Sequence, residues 1–303
     1  MKKLLTTFFI SITLVCTLNA QDALLDYKPK VLLVTAHPDD DALYSATIFK
    51  TTQLLNGVVD LALLTNGEGG YTYSTLGSYI YEGKLDGKEL DTEEVGRKWL
   101  PGIRKKELMA GGDIVGIRNY FFLDQPDFEY TEDVSIPLVK WNTDWARTKL
   151  ANIMQEGEYD FLFLMLPYET THGHHKASAV IALQALQTLP KENRPIALQG
   201  FIRRGEEDPG VDFSQLENHP ETRVMTDQIF EFNRNQTFGA NDRMNYNIIG
   251  NWVIAEHKSQ GTMQLLMQSD KGVIEQYWYV ALNGEEGLAK TAEFFKAVNA
   301  VEP

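Results

Sequence analysis

The chain has 303 residues, with 28 Lys and Arg against 42 Asp and Glu, a formal net charge of −14, and a single cysteine. That acidity disfavours nucleic acid and anionic membranes as partners. One cysteine rules out an internal disulfide and a thiolate metal centre, so any metal sits on His, Asp or Glu.

In chain order, Lys2 and Lys3 precede an apolar run over residues 4–18, too short for a comfortable bilayer span, and Ala20 precedes Gln21. This pattern predicts a signal peptide over 1–20, export to the periplasm or the medium, and no membrane span after cleavage. A lipid anchor on Cys16 is the competing reading; Val15 argues against it, because that signal needs a small residue there. Cleavage leaves 26 basic against 42 acidic residues, a net charge of −16.

Short apolar runs rich in β-branched and aromatic residues at 31–35, 58–64, 120–123, 159–166 and 196–202 predict buried strands. Helical patterns at 41–55, 93–114, 144–156 and 174–189 separate them. Strand and helix in alternation predict a Rossmann-like three-layer α/β/α fold with a mainly parallel sheet. Residues 203–246 are dense in polar residues, Gly and Pro, and are expected to form a long loop-rich surface excursion that walls the active site, with a disordered insert as the alternative for its middle part. Beyond it, 247–255 and 273–281 are expected as further strands, each followed by a helix, which makes 21–303 a single domain. The sequence leaves self-association open.

Four of the six histidines fall in two short segments, Ala36-His37-Pro38-Asp39-Asp40-Asp41 and His172-Gly173-His174-His175. Each follows a predicted strand and opens a predicted helix, so both lie at the carboxyl edge of a parallel sheet, where open α/β sheets bind ligands. Pro38 suits the first turn of a helix, and acidic residues suit its positive end. Three consecutive aspartates nevertheless repel one another unless a cation or a catalytic proton offsets them. His37 and Asp40, three apart, can face the same ion, with Asp39 pointing elsewhere and free to hold a proton. His172 and His175 share that spacing, which turns His174 away from them. Two His and one carboxylate with open positions suit catalytic zinc, and in other surroundings ferrous iron.

The first segment resembles the AHPDDE signature of the LmbE/PIG-L deacetylases. The similarity extends through Thr65-Asn66-Gly67-Glu68-Gly69, the stretch from Arg104 to Gly116, Phe122-Leu123-Asp124, the pair His172 and His175, and His257-Lys258-Ser259-Gln260. The resemblance implies the LmbE-like fold, a zinc site held by His37, Asp40 and His175, Asp39 as general base, and His172 as the residue that stabilises the oxyanion or assists the leaving group. It places Arg104 near the substrate, against the alternative of a helix-surface ion pair. Two positions depart from the family: Asp41 stands where Glu is usual, and His174 where an Asp able to orient a histidine is common. His219 and His257 are expected to be structural or rim residues.

The implied reaction is removal of the N-acetyl group from an N-acetylglucosamine-type sugar or glycoconjugate; Tyr71, Tyr73, Tyr79 and Tyr81 can either stack on that sugar or pack against the excursion. Three rival readings stand beside it. An amidase of the same fold would act on another N-acyl group. A non-catalytic glycan-binding protein would have no need of a general base at Asp39. A nucleotide-binding Rossmann protein would want a Gly-rich first turn, and the Gly67–Gly70 stretch carries Glu68, which repels phosphate.

Overall fold

The computed structural model describes residues 25–268 and 272–303; the expected signal segment lies outside the described residues. Five parallel strands, β1 (Lys30–Thr35), β2 (Val58–Thr65), β3 (Ile117–Gln125), β4 (Phe161–Met165) and β5 (Ile196–Arg203), run in the order β3-β2-β1-β4-β5. Two more extend the sheet through antiparallel pairing: β7 (Ile274–Val280) runs against β5, and β6 (Val224–Asn233), at the edge, runs against β7. Besides short helices at Thr75–Ile80, Glu82–Leu85 and Ser135–Lys140, the helices are α1 (Ser45–Phe49), α2 (Glu93–Val115), α3 (Thr143–Gly157), α4 (Gly173–Thr188), α5 (Asn247–Glu256), α6 (Gly261–Gln268) and α7 (Leu288–Ala300). No helix among the described residues is long and apolar enough to cross a membrane.

Strand alternation sorts β1 into two cores. Val31 and Leu33 pack with residues of α1, α2, α5 and α7, such as Ile48, Leu108, Val253 and Phe294. Leu32 and Val34 pack with α3 and α4, through Leu150, Ile153 and Ile181. Burial on both faces explains why β1 reads as an unbroken apolar run, and it gives the three layers. The chain steps from β1 to β2 on one side and returns past β1 to β4 on the other. That reversal opens a crevice at the carboxyl ends of β1 and β4.

Three regions differ from expectation. Residues 247–255 form helix α5 rather than a strand. The apolar run is too short for periodicity alone to decide. Its buried positions, Ile249, Gly250, Val253 and Ile254, follow the helical stripe, whereas Trp252 is exposed. Residues 203–246 hold the ten-residue strand β6, which the polar composition concealed because an edge strand presents much of its surface to water. The helix expected at 41–55 is broken into a 3₁₀ segment (Asp40–Tyr44), α1, and a π turn (Lys50–Leu54). Hydroxyls compete for its carbonyls: Thr51 Oγ1 donates to Thr47 O (2.7 Å) and Thr52 Oγ1 to Ile48 O (3.1 Å).

The start of α1 is braced from the far end of the chain. Glu275 of β7, fully buried, accepts from Ala46 N and Thr47 N (3.0 Å each) and from Thr47 Oγ1 (2.6 Å). Its counter-charge is the buried Arg234, whose Nη2 lies 2.6 Å from Glu275 Oε1 and also donates to Ala42 O and Leu43 O.

Candidate active site

The β1 loop is closed by Asp40. Its Oδ2 accepts from Ala36 N (2.9 Å) and His37 N (2.7 Å), while Thr65 Oγ1 of β2 donates to Ala36 O (2.7 Å). With Oδ2 so engaged, Oδ1 lies 3.1 Å from His175 Nε2. His37 Nδ1 is 3.2 Å from that same nitrogen and 3.8 Å from Asp40 Oδ2. Two imidazole nitrogens and a carboxylate oxygen thus converge, all within 4.8 Å of one another. That donor set fits a divalent cation such as zinc or ferrous iron. The outer nitrogen of His175 is also held, since Nδ1 and Thr171 Oγ1 are 2.9 Å apart.

His172 caps α4 with its side chain: Nδ1 accepts from His174 N (3.0 Å), which puts the hydrogen of a neutral ring on Nε2. Burial, then the neighbouring His37, His174 and His175, pushes its pKa far below the ordinary imidazole value, so the ring is neutral near pH 7. The expectation that His174 turns away from the site is corrected. His174 is fully buried, with Nδ1 3.0 Å from His37 Nε2 and 3.4 Å from Asp127 Oδ1. It meets the Nε2 edge of the His37 ring, while His175 meets the Nδ1 edge. Burial lowers the pKa of His174 to about 4, against the pull of Asp127.

Arg104 does not lie on a helix surface. It is 3% exposed, points inward from α2, and its Nη2 donates to Asp39 Oδ1 (2.9 Å) while Nη1 donates to Gly67 O (3.0 Å). Asp127 Oδ2 lies 3.7 Å from Nη1. The Gly-rich stretch after β2 lets these side chains pack closely: a Cβ on Gly69 would lie 2.8 Å from Asp127 Oδ1, and one on Gly70 would lie 2.7 Å from Arg104 Nη1. Its glycines serve close approach to the site.

Sequence reasoning missed Asp127. Burial opposes its ionisation, but His174, His37 and Arg104 hold its carboxyl well below the usual range. The available signal was Pro126-Asp127 directly after β3, a third carboxylate at the same sheet edge. Sequence reasoning also left open what Asp41 does. Asp41 is buried, and its Oδ1 lies 3.2 Å from His257 Nε2, which makes His257 an internal partner of the first motif. His219 pairs with Glu221 at 3.3 Å, away from the site.

For His37, burial lowers the pKa, but Asp40, Asp127 and Asp39 outweigh it and the net shift is upward. Asp40 goes the other way: burial raises its pKa, yet His175 and His37 bring it well below the carboxylate range. These side chains floor a cleft of about 700 Å³ that also includes Asp39, Tyr71, Tyr73, Tyr130, Tyr168 and Met263. Tyr79 is 76% exposed, and Tyr81 donates to Glu107 Oε1 (2.8 Å).

The model of the family described as GlcNAc-PI de-N-acetylase (PIG-L) matches residues 32–186, just over half of the chain. The chain is 30% identical over 168 residues to the probable N-acetyl-alpha-D-glucosaminyl L-malate deacetylase 2 of Bacillus cereus, an alignment covering 55% of this chain and 64% of that protein. It is 29% identical over 179 residues to the N-acetylglucosaminyl-phosphatidylinositol de-N-acetylase of Bos taurus, covering 56% of each. The chain therefore spans less than two thirds of the length of either relative. Among solved structures, the A40926 pseudoaglycone deacetylase superposes with a TM-score of 0.52 at 14% identity, covering 84% of this chain and 98% of that one, and shares its fold.

Proposed function

Because the chain belongs to the GlcNAc-PI de-N-acetylase (PIG-L) family, we propose that it is a zinc-dependent N-deacetylase acting on an N-acetylglucosamine-type amino sugar or glycoconjugate. The observation that carries this reading is Asp39 at the floor of a substrate-sized cleft, beside the converging donors of His37, Asp40 and His175. Zinc held by those three residues supplies a Lewis acid that makes water acidic near neutral pH.

Asp39 is the general base. Arg104 occupies Oδ1, which leaves Oδ2 to take the proton of the attacking water. As the amide carbonyl becomes tetrahedral, the Nε2–H of neutral His172 donates to the developing oxyanion. The proton on Asp39 then passes to the departing nitrogen. One amide and one water give acetate and a free amine. Arg104 lines the same cleft and acts first on Asp39.

The names of the two relatives support an N-acetylglucosamine ring as the substrate core. Tyr71, Tyr73 and Tyr130 on the cleft wall are suited to stack on it. The character of residues 1–20 supports export, and with it an envelope or environmental glycan as the source.

The test is acetate release from a panel of N-acetylated amino sugars and glycans by the zinc-loaded protein, beside Asp39→Asn. The expected result is release from at least one sugar, reduced about 10²- to 10⁴-fold in the variant. Silence across the panel from a zinc-loaded protein would sink the deacetylase reading.

A further inference from the structure

We infer that His174 is a positioning residue for His37, accepting the hydrogen on Nε2 so that Nδ1 presents its lone pair toward Asp40 and His175. The inference rests on the reading of His37, Asp40 and His175 as the cation donors.

An imidazole that offers Nδ1 to a cation carries its hydrogen on Nε2, and that hydrogen needs an acceptor. His174 Nδ1, 3.0 Å from His37 Nε2, makes that contact shorter than its other one, to Asp127 Oδ1 at 3.4 Å, and the nitrogen can serve only one of them at a time; Asp127 Oδ1, 3.8 Å from His37 Nε2, is too far to take the hydrogen itself. His174 is itself fully buried, with its ring wedged against Phe128 (centroids 4.3 Å apart) and Trp141 (5.0 Å), so its place beside His37 is fixed by packing. The same residue serves His172 through its backbone N–H. One residue therefore sets the orientation of two others, the first by its side chain and the second by its main chain.

The burial of His174 carries a cost. Its Nε2 has no hydrogen-bond partner among the described residues, a penalty that an apolar side chain of the same shape would avoid. A polar ring kept at such a site is explained by what its other nitrogen does.

Side-chain geometry supplies the test. In asparagine the amide oxygen stands two bonds from Cβ, where histidine has Nδ1; in glutamine it stands one bond farther, near the place of Nε2. Zinc affinity is measured by competition with a chromophoric chelator for the parent protein, His174→Asn, His174→Gln and His175→Ala, with circular dichroism confirming the fold. The expected result is that His175→Ala loses zinc, His174→Gln weakens it on the order of 10- to 100-fold, and His174→Asn stays within a few-fold of the parent. Equal affinities for the Asn and Gln variants, whether both parental or both weakened, overturn the positioning role while His175→Ala still upholds the donor set. Should His175→Ala bind zinc normally while both His174 variants lose it, the cation sits on His37, His172 and His174, and the underlying reading falls too.

Discussion

Arg104 Nη2 lies 2.9 Å from Asp39 Oδ1, with both side chains largely withdrawn from solvent. The guanidinium also reaches Gly67 O and faces Asp127, so one planar fork ties the proposed base to the loop after β2 and to the carboxylate behind His37. Arg104→Met leaves the buried Asp127 and the half-buried Asp39 without their shared cation. The expected cost is about 3–5 kcal/mol in urea unfolding, together with a lower kcat. Arg104→Lys keeps the charge and loses the fork; stability should recover in part while kcat stays low. Full kcat in the lysine variant would show that the fork does not hold Asp39.

Asp41 is one methylene shorter than the family's usual Glu, and His257 occupies the space on its far side at 3.2 Å. Asp41 itself is only 1% exposed, so the surrounding side chains enclose it. Asp41→Glu therefore overpacks a closed pocket and should destabilise by about 1–3 kcal/mol. Scanning calorimetry checks this, and an unchanged Tm would mean the pocket yields.

The pair also predicts a pH dependence. Burial lowers the pKa of His257, but the charge and hydrogen bond of Asp41 reverse that, and its folded value lies above the ordinary 6.5. A raised histidine contributes stability that is complete below 6.5 and is lost as pH rises through the folded value. Unfolding midpoints of the parent should fall across that window. Asp41→Asn should reduce the dependence and leave the part owed to His37, whose pKa is also raised, and a slope unchanged in the variant would remove His257 from the account.

Gly69 is required for close packing. A methyl group there meets Asp127 Oδ1 at 2.8 Å and the Asp127 backbone oxygen at 2.9 Å, and a main-chain oxygen cannot swing aside. Gly69→Ala is expected to displace Asp127 and lower kcat. Gly83→Ala, where nothing lies within 4 Å of the added carbon, is the control and should be silent.

The sequence made the alternating layers and both histidine motifs legible, because buried parallel strands and clustered histidines leave local signals. What stayed hidden depended on partners far away in sequence. Asp127 reads as an ordinary turn residue until β3 places it behind His37. His174 seems turned aside while its helix is considered alone, yet its Nδ1 meets the edge of a ring 137 residues earlier. Residues 247–255 carried no period to separate strand from helix, and only packing against α2 decided it.

Glu275 braces the backbone at Ala46 from 229 residues downstream. During synthesis both histidine motifs leave the ribosome long before β7 exists, so an emerging chain carries every proposed catalytic side chain while the start of α1 lacks its carboxylate. A chain stopped before Glu275 would present the N–H groups of Ala46 and Thr47 without the acceptor that the later strand brings to them.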